Sequence, residues 1–230
     1  MTKLLLTPLL FIIFIGAATA QSTESGGWLF ISHTQKLSEE FDFLADVQLR
    51  SADQYSYWNT VLLRGAINYN LNDHHSTAIG YAFLGEWEKM EGGKDFEREH
   101  RLYEQYIFQT KLKKTELTLR ARLEQRFQKD DQIKFSQRIR AFASFQIPIF
   151  ADSQFEKGIY LKAQDEIFLN IQYKENVNGS ILDQHRPYAG IGLRTGKKLD
   201  IDLGYMRWFQ RELDGDVNKN IMQVMITTSF

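Results

Sequence analysis

The sequence predicts an all-β fold, an antiparallel up-and-down transmembrane β-barrel of 10–12 strands behind a cleaved signal peptide. Three observations carry that expectation. Strand-like runs with period-two alternation recur from end to end, with almost no helical periodicity between them. An export signal opens the chain, yet after Ala20 no apolar stretch reaches the roughly 18 residues that a transmembrane helix needs. The last strand carries Met222, Val224, Ile226, Thr228 and Phe230 on one face and stops on an aromatic residue, as expected of a closing strand recognised during barrel assembly.

The export signal has all its parts. Lys3 gives the positive n-region, residues 4–15 the apolar h-region, and Ala18, Thr19 and Ala20 the small-residue cleavage site. Cleavage is expected after Ala20, leaving residues 21–230 as one barrel domain. Lys and Arg number 28 against 29 Asp and Glu, so no bulk charge draws the chain to nucleic acid. The absence of Cys removes a disulfide framework and thiolate metal sites. Neither a metal nor another cofactor is expected.

The strand-like runs fall at 27–34, 41–50, 57–69, 76–87, 96–109, 115–128, 133–147, 158–170, 182–195, 199–209 and 220–230. No linker divides them. Short polar connections (36–39, 70–75, 111–114, 196–198) alternate with others that are mostly longer (88–95, 174–180, 211–219), the alternation of short periplasmic turns with longer external loops in bacterial barrels. Pro148 and the segment after it blur the pattern once. Eleven runs conflict with the even strand number of bacterial single-chain barrels. Either one run is split, giving twelve, or 27–34 lies outside a ten-strand wall.

Run 115–128 shows the two faces most clearly. Leu117, Leu119, Ala121, Leu123 and Phe127 share one face; Glu116, Arg120, Arg122, Glu124 and Arg126 share the other, because strand side chains alternate. Run 133–147 repeats this with Ile133, Phe135, Ile139 and Ala141 against Lys134, Arg138 and Arg140. A soluble barrel or sandwich would turn the apolar face inward; a membrane barrel turns it to lipid. Aromatic brackets favour lipid. On 57–69 the face from Tyr57 to Tyr69 spans twelve steps of roughly 3.3 Å, which at a tilt of about 45° project to roughly 28 Å, near the apolar band of about 25 Å between aromatic girdles. Glu104, beside Tyr106 and Phe108, and Asp165, within Ile159, Leu161, Ala163, Ile167 and Leu169, interrupt such faces. A β-bulge shifting the register, or a place at the interface, would accommodate them.

A family resemblance follows from an ordered set of residues: Trp28; Gln48, Leu49 and Arg50; Leu63, Arg64 and Gly65 followed by Tyr69; Gly80 and Tyr81; Glu99, His100 and Arg101 with Gln105; the run from Arg120 to Arg126; Arg138, Ile139 and Arg140; Asp183 to Arg186 with Tyr188 and Gly190; and Gly204 with Tyr205. Over most of its length beyond residue 20 the chain resembles domain of unknown function family 2490, a group mostly from Gram-negative bacteria. The resemblance implies an outer-membrane barrel, exported through the periplasm, and brings no catalytic residues with it.

The strongest constellation is the charged set Arg50, Arg64, Glu99, Arg101, Arg120, Arg122, Glu124, Arg126, Arg138, Arg140, Glu166 and Arg186. It has two readings. It can be a lumen plugged by ion-paired side chains, since buried charges must be paired. It can also be an arginine-lined path or pocket for an anionic solute, since Arg forks bind carboxylate and phosphate bidentately. Other motifs are weaker. Ser32 and His33 are adjacent and would face opposite ways; His100 and His185 lack a visible nucleophile, and no Gly-x-Ser-x-Gly elbow is present. His74 and His75, beside Asp73, read as a polar turn. The Asp214, Asp216 and Asn218 series fails as a calcium loop, with Lys219 at the position that needs Gly. Asn178 and Gly179 signal a turn before a sequon.

The expected role is structural, or binding or porin-like passage of a small solute, by a monomer whose partners are outer-membrane lipid and the barrel-assembly machinery that reads the strand ending at Phe230. The alternatives are a barrel-borne enzyme acting on lipid or envelope polymer and a soluble periplasmic ligand-binding β-barrel.

Overall fold

A computed structural model describes residues 23–230 except 53, 91–92, 130–131 and 214; the expected signal peptide, 1–20, lies outside the described residues. Twelve strands follow in order: β1 (Thr23–Lys36), β2 (Phe41–Ala52), β3 (Tyr57–Asn70), β4 (His75–Met90), β5 (Gly93–Leu112), β6 (Thr115–Lys129), β7 (Ile133–Ala151), β8 (Gly158–Gln172), β9 (Leu182–His185), β10 (Tyr188–Gly196), β11 (Leu199–Glu212) and β12 (Gly215–Ser229). Lys174–Asn176 forms one 3-10 turn. No helix among the described residues is long and apolar enough to cross a membrane.

The sheet closes on itself. Each strand pairs antiparallel with the next from β1 to β8, β9 and β10 both bridge β8 to β11, and β11 pairs with β12. β9 and β10 are thus two pieces of one stave, interrupted at Arg186 and Pro187. Pro187 accepts the Arg207 N–H at 3.0 Å but has no N–H to return, so the ladder breaks there. The wall has eleven staves. One run is split, as one of the two expectations had it: 182–195 forms β9 and β10, which gives twelve strands but counts once in the wall. Run 27–34 sits in the wall as β1, so the ten-strand wall does not hold.

An odd number forces one exception to up-and-down pairing. β12 meets β1 in parallel, from Thr23 opposite Asn218 to Thr34 opposite Ser229. Thr23 therefore lies at one end of the barrel and Phe230 at the other, where Lys36 and Phe230 exchange a backbone hydrogen bond of 2.7 Å. We call these the head end and the tail end. The turns 37–40, 71–74, 113–114, 152–157 and 197–198 lie at the tail; 54–56, 173–181 and 213 lie at the head.

The connections expected to be longer are mostly strand. β4 reaches Met90 before β5 starts at Gly93, and β11 reaches Glu212 before β12 starts at Gly215. Polar side chains do not stop a ladder once a hairpin has registered, so these hairpins run on. Only 173–181 is long. Pro148 coincides with a register shift in the β7–β8 pair.

The faces segregate as alternation requires. Outside lie Ile79 (70 % exposed), Leu161 (48 %), Leu203 (51 %) and Val224 (38 %), with Tyr69, Tyr81, Tyr106 and Tyr205 among them. Glu104 and Asp165 stay on this outer face. No bulge occurs at either, contrary to that expectation; each has a polar partner instead. Glu104 accepts the Gln125 amide at 3.0 Å, and Asp165 faces His185 at 2.7 Å. Inside, the tail half is filled with apolar and aromatic groups. Leu62, Ala66, Ala78, Ala82 and Tyr103 form one cluster, and Tyr160 and Phe155 are almost completely buried.

Candidate functional site

The interior is built in layers along the barrel axis. At the tail the turn 152–157 folds inward. Asp152 holds it, accepting the backbone N–H groups of Glu156 at 2.8 Å and Lys157 at 2.9 Å. Those bonds keep its carboxyl below the ordinary carboxylate range. The turn thereby places Phe155, with a left-handed φ of 56°, edge-on to Tyr160, ring centroids 5.6 Å apart. The Arg194 guanidinium lies 4.2 Å over the Phe155 ring and ties Asp200 and Glu116 across the lumen at 2.8 and 3.0 Å. The next layer holds the Lys162–Asp202 pair at 3.0 Å.

Towards the head the inner face turns polar. All twelve residues of the charged set point into this part of the barrel, because alternation puts even positions of β2, β3, β6, β7, β8 and the β9–β10 stave inside, and odd ones of β5. Glu99 is held by Arg101 at 2.8 Å and Arg126 at 2.5 Å. Glu124 takes Arg138 and Arg140, both at 2.6 Å, and Glu166 takes Arg120 and Arg140, both at 2.7 Å. Two carboxylates outside the sequence-derived set complete the network. Asp46 binds Arg64 at 2.7 Å, and Asp183 binds Arg138 at 2.5 Å. Asp183 turns inward because the β8–β9 register shifts between Phe168 and Leu169, which simple alternation cannot anticipate. Arg122 bonds Gln105 at 2.7 Å, stacks 4.2 Å over Tyr103 and reaches Glu124 only at 3.7 Å.

Seven of the nine arginines thus reach a carboxylate within 4.0 Å. Arg50 and Arg186 do not among the described residues. Arg50 donates to the neutral Gln48 at 2.8 Å, and Arg186 donates to the neutral Gln184. Their guanidiniums instead lie on indoles: Arg50 4.0 Å over Trp28, and Arg186 4.7 Å over Trp208. Trp28 and Trp208 meet edge to face at 5.3 Å. The sequence reading picked out Trp28 only as a family position and did not single out Trp208. Trp28 on β1 and Trp208 on β11 meet only because the sheet closes through β12, so alternation along the chain gives no signal for the pair.

A cavity of about 520 Å³ runs from this Arg–Trp group to the head rim, where Glu97, Lys129, Lys134 and Arg211 line it. A second, of about 410 Å³, lies at the tail outside Phe155. The two share no lining residue; Tyr160 and the Lys162–Asp202 pair lie between them.

The histidines are elsewhere. His33, His75, His100 and His185 occupy outer positions, and His74 lies in a tail turn. Their partners are the Thr228 hydroxyl at 2.8 Å, Tyr106, Tyr81 at 2.5 Å, Asp165 at 2.7 Å and the Gln109 carbonyl at 2.8 Å respectively. Among the described residues none meets a serine hydroxyl. As adjacent positions require, Ser32 bonds Thr227 inside while His33 bonds Thr228 outside. No group of three or more His, Asp or Glu suited to a metal ion occurs among the described residues. Gly179 takes the left-handed φ of 69° expected of its turn.

No curated protein matches this chain. A family model described as Protein of unknown function (DUF2490) matches residues 25–219, so it spans the barrel from the start of the first strand to the first part of the last. The chain belongs to that family.

Proposed function

We propose that this chain is an integral outer-membrane barrel whose lumen is a blind cup, open at the head end, that binds a small solute rather than passing it. The observation that carries the reading is the floor: Phe155 on Tyr160, locked by Arg194, closes the tail while the head-end cavity reaches the rim. Placement in a membrane is supported by the outer face. Apolar side chains stand exposed on strand after strand, whereas a soluble monomer rarely exposes a contiguous apolar patch beyond a few hundred Å². The longest connection, 173–181, and the extended β4–β5 and β11–β12 hairpins stand at the head, which favours a tail end facing the periplasm. The soluble alternative would leave that belt in water, and the enzyme alternative finds no serine hydroxyl at any of the five histidines among the described residues.

Two measurements test this. Extraction only by detergent, with heat-modifiable migration, is expected; recovery in the soluble periplasmic fraction would reject membrane placement. In planar bilayers the native chain is expected to be silent, and replacement of 152–157 by a two-residue turn to produce conductance steps. Steps of regular size from the native chain would make it a pore.

A further inference from the structure

We infer that Arg50 and Arg186, set on Trp28 and Trp208, form a binding site for a small oxyanion, a carboxylate or a phosphate. The inference rests on the reading of the lumen as a cup open at its head end, and it names what the cup holds.

The argument begins with the cost of the arrangement. A buried charge is tolerated when it is paired and hydrogen-bonded. Arg50 is only 7 % exposed, yet among the described residues its one hydrogen bond goes to an amide oxygen, and its Nε has no partner. Arg186 repeats the pattern, with one amide acceptor and an orphaned Nε. Glu86 lines the same cavity but bonds the Asn59 amide at 3.3 Å instead. The other arginines of this level show that the fold supplies carboxylates where it uses them for packing. At this wall it supplies indoles, whose faces attract a guanidinium without occupying its N–H edge.

The remaining unsatisfied atoms agree in kind. Around the cavity they are Trp208 Nε1, Arg120 Nε, Arg126 Nη1 and the Tyr188 hydroxyl, with Gln128 Oε1 as the one acceptor among the described residues. The lining also carries Glu86, Glu97, Glu99, Glu166, Asp183 and Glu212. The atoms left unsatisfied, Arg50 Nε and Arg186 Nε included, are nonetheless nearly all donors and most are cationic, which fits a ligand that is all acceptor. Ionised carboxylates and phosphates are such ligands, and they bind guanidinium edges through two oxygens. An uncharged sugar or amide would leave the two charges uncompensated.

The test uses the full chain in detergent micelles, titrated with inorganic phosphate and with acetate or succinate at constant ionic strength, and followed by tryptophan fluorescence and calorimetry. Saturable binding below about 1 mM by either class is expected, and which class binds assigns phosphate or carboxylate. Arg50→Gln and Arg186→Gln should each weaken it at least tenfold while leaving heat-modifiable migration and thermal midpoint unchanged or raised, since each removes an unpaired charge. A structural role would instead lower the midpoint. Glu86→Gln should tighten binding. The inference is overturned if neither class saturates by tens of millimolar, or if the double variant responds like the native chain. Conductance through the native barrel with anion binding intact would remove the blind cup and keep the site; silence with no anion bound would remove the site alone.

Discussion

The ring of Tyr160 on β8 lies over Gly192 on β10, so close that a Cβ on the glycine would stand 2.2 Å from it. Tyr103 covers Gly80 in the same way, at 2.3 Å, and Tyr188 covers Gly204 at 2.4 Å. Large rings fill the tail half of the lumen only because the facing strand has no side chain beneath them. Gly192→Ala should therefore displace Tyr160 and destabilise the barrel by about 1–3 kcal/mol, the usual cost of overpacking. Gly65→Ala, whose added methyl would meet Phe43 at an ordinary 3.7 Å, should be close to neutral. Denaturant unfolding in detergent would compare them, and equal stability of the two variants would count against the packing account.

Arg138 is 2 % exposed and bridges Glu124 to Asp183. Arg138→Met leaves the buried Asp183 with Arg126 only at 4.0 Å and Glu124 with Arg140 at 2.6 Å, and is expected to cost about 3–5 kcal/mol. Adding Asp183→Asn should recover part of that loss, because it removes the carboxylate that has lost its close partner. A double variant weaker than the single one, measured by the same unfolding experiment, would show that the pair does not couple this way.

The tail cap has a defined pH range. The Asp152 carboxyl titrates lower in the folded chain than in the unfolded one. Its stabilisation is therefore complete above the unfolded value of about 3.9 and lost as pH falls through the lowered folded value. Bilayer silence should hold from pH 8 down to about 5, and conductance should first appear in acid below about pH 4. Asp152→Ala should loosen the cap across the whole range. Opening of the native cap near neutrality would exclude this mechanism.

Because β1 runs parallel to β12, the two chain ends leave at opposite rims. With the tail facing the periplasm, an epitope tag placed just before Thr23 and behind the cleavage site should bind antibody on intact cells. A tag after Phe230 should bind only once the outer membrane is permeabilised. Detection of both tags on the same side would contradict the parallel seam.

Leu63 and Leu102 project outward from the middle of β3 and β5. Arginine at either should cost about 2–4 kcal/mol if hydrocarbon lies there, and almost nothing if water does. Measured unfolding free energies in lipid vesicles decide between the two, and a neutral result at both sites would remove the membrane placement.

The sequence alone determined what depends on neighbouring positions. Alternation with period two placed eleven runs within a few residues of the observed staves and set Leu119 and Ile139 on one face against Arg120 and Arg138 on the other. It stopped short where strands become polar, as at residues 23–26 and 215–219, because a ladder already in register continues without an apolar pattern. Tertiary structure decided the rest. The parallel seam, the inward turn that carries Phe155, the bulge that turns Asp183 inside and the lack, among the described residues, of a carboxylate within 4.0 Å of Arg50 and Arg186 all depend on which distant strands meet and in what register. Side-chain direction is a local property of the backbone, whereas closure of the sheet and pairing across the lumen are settled between residues as far apart as Glu116 and Arg194.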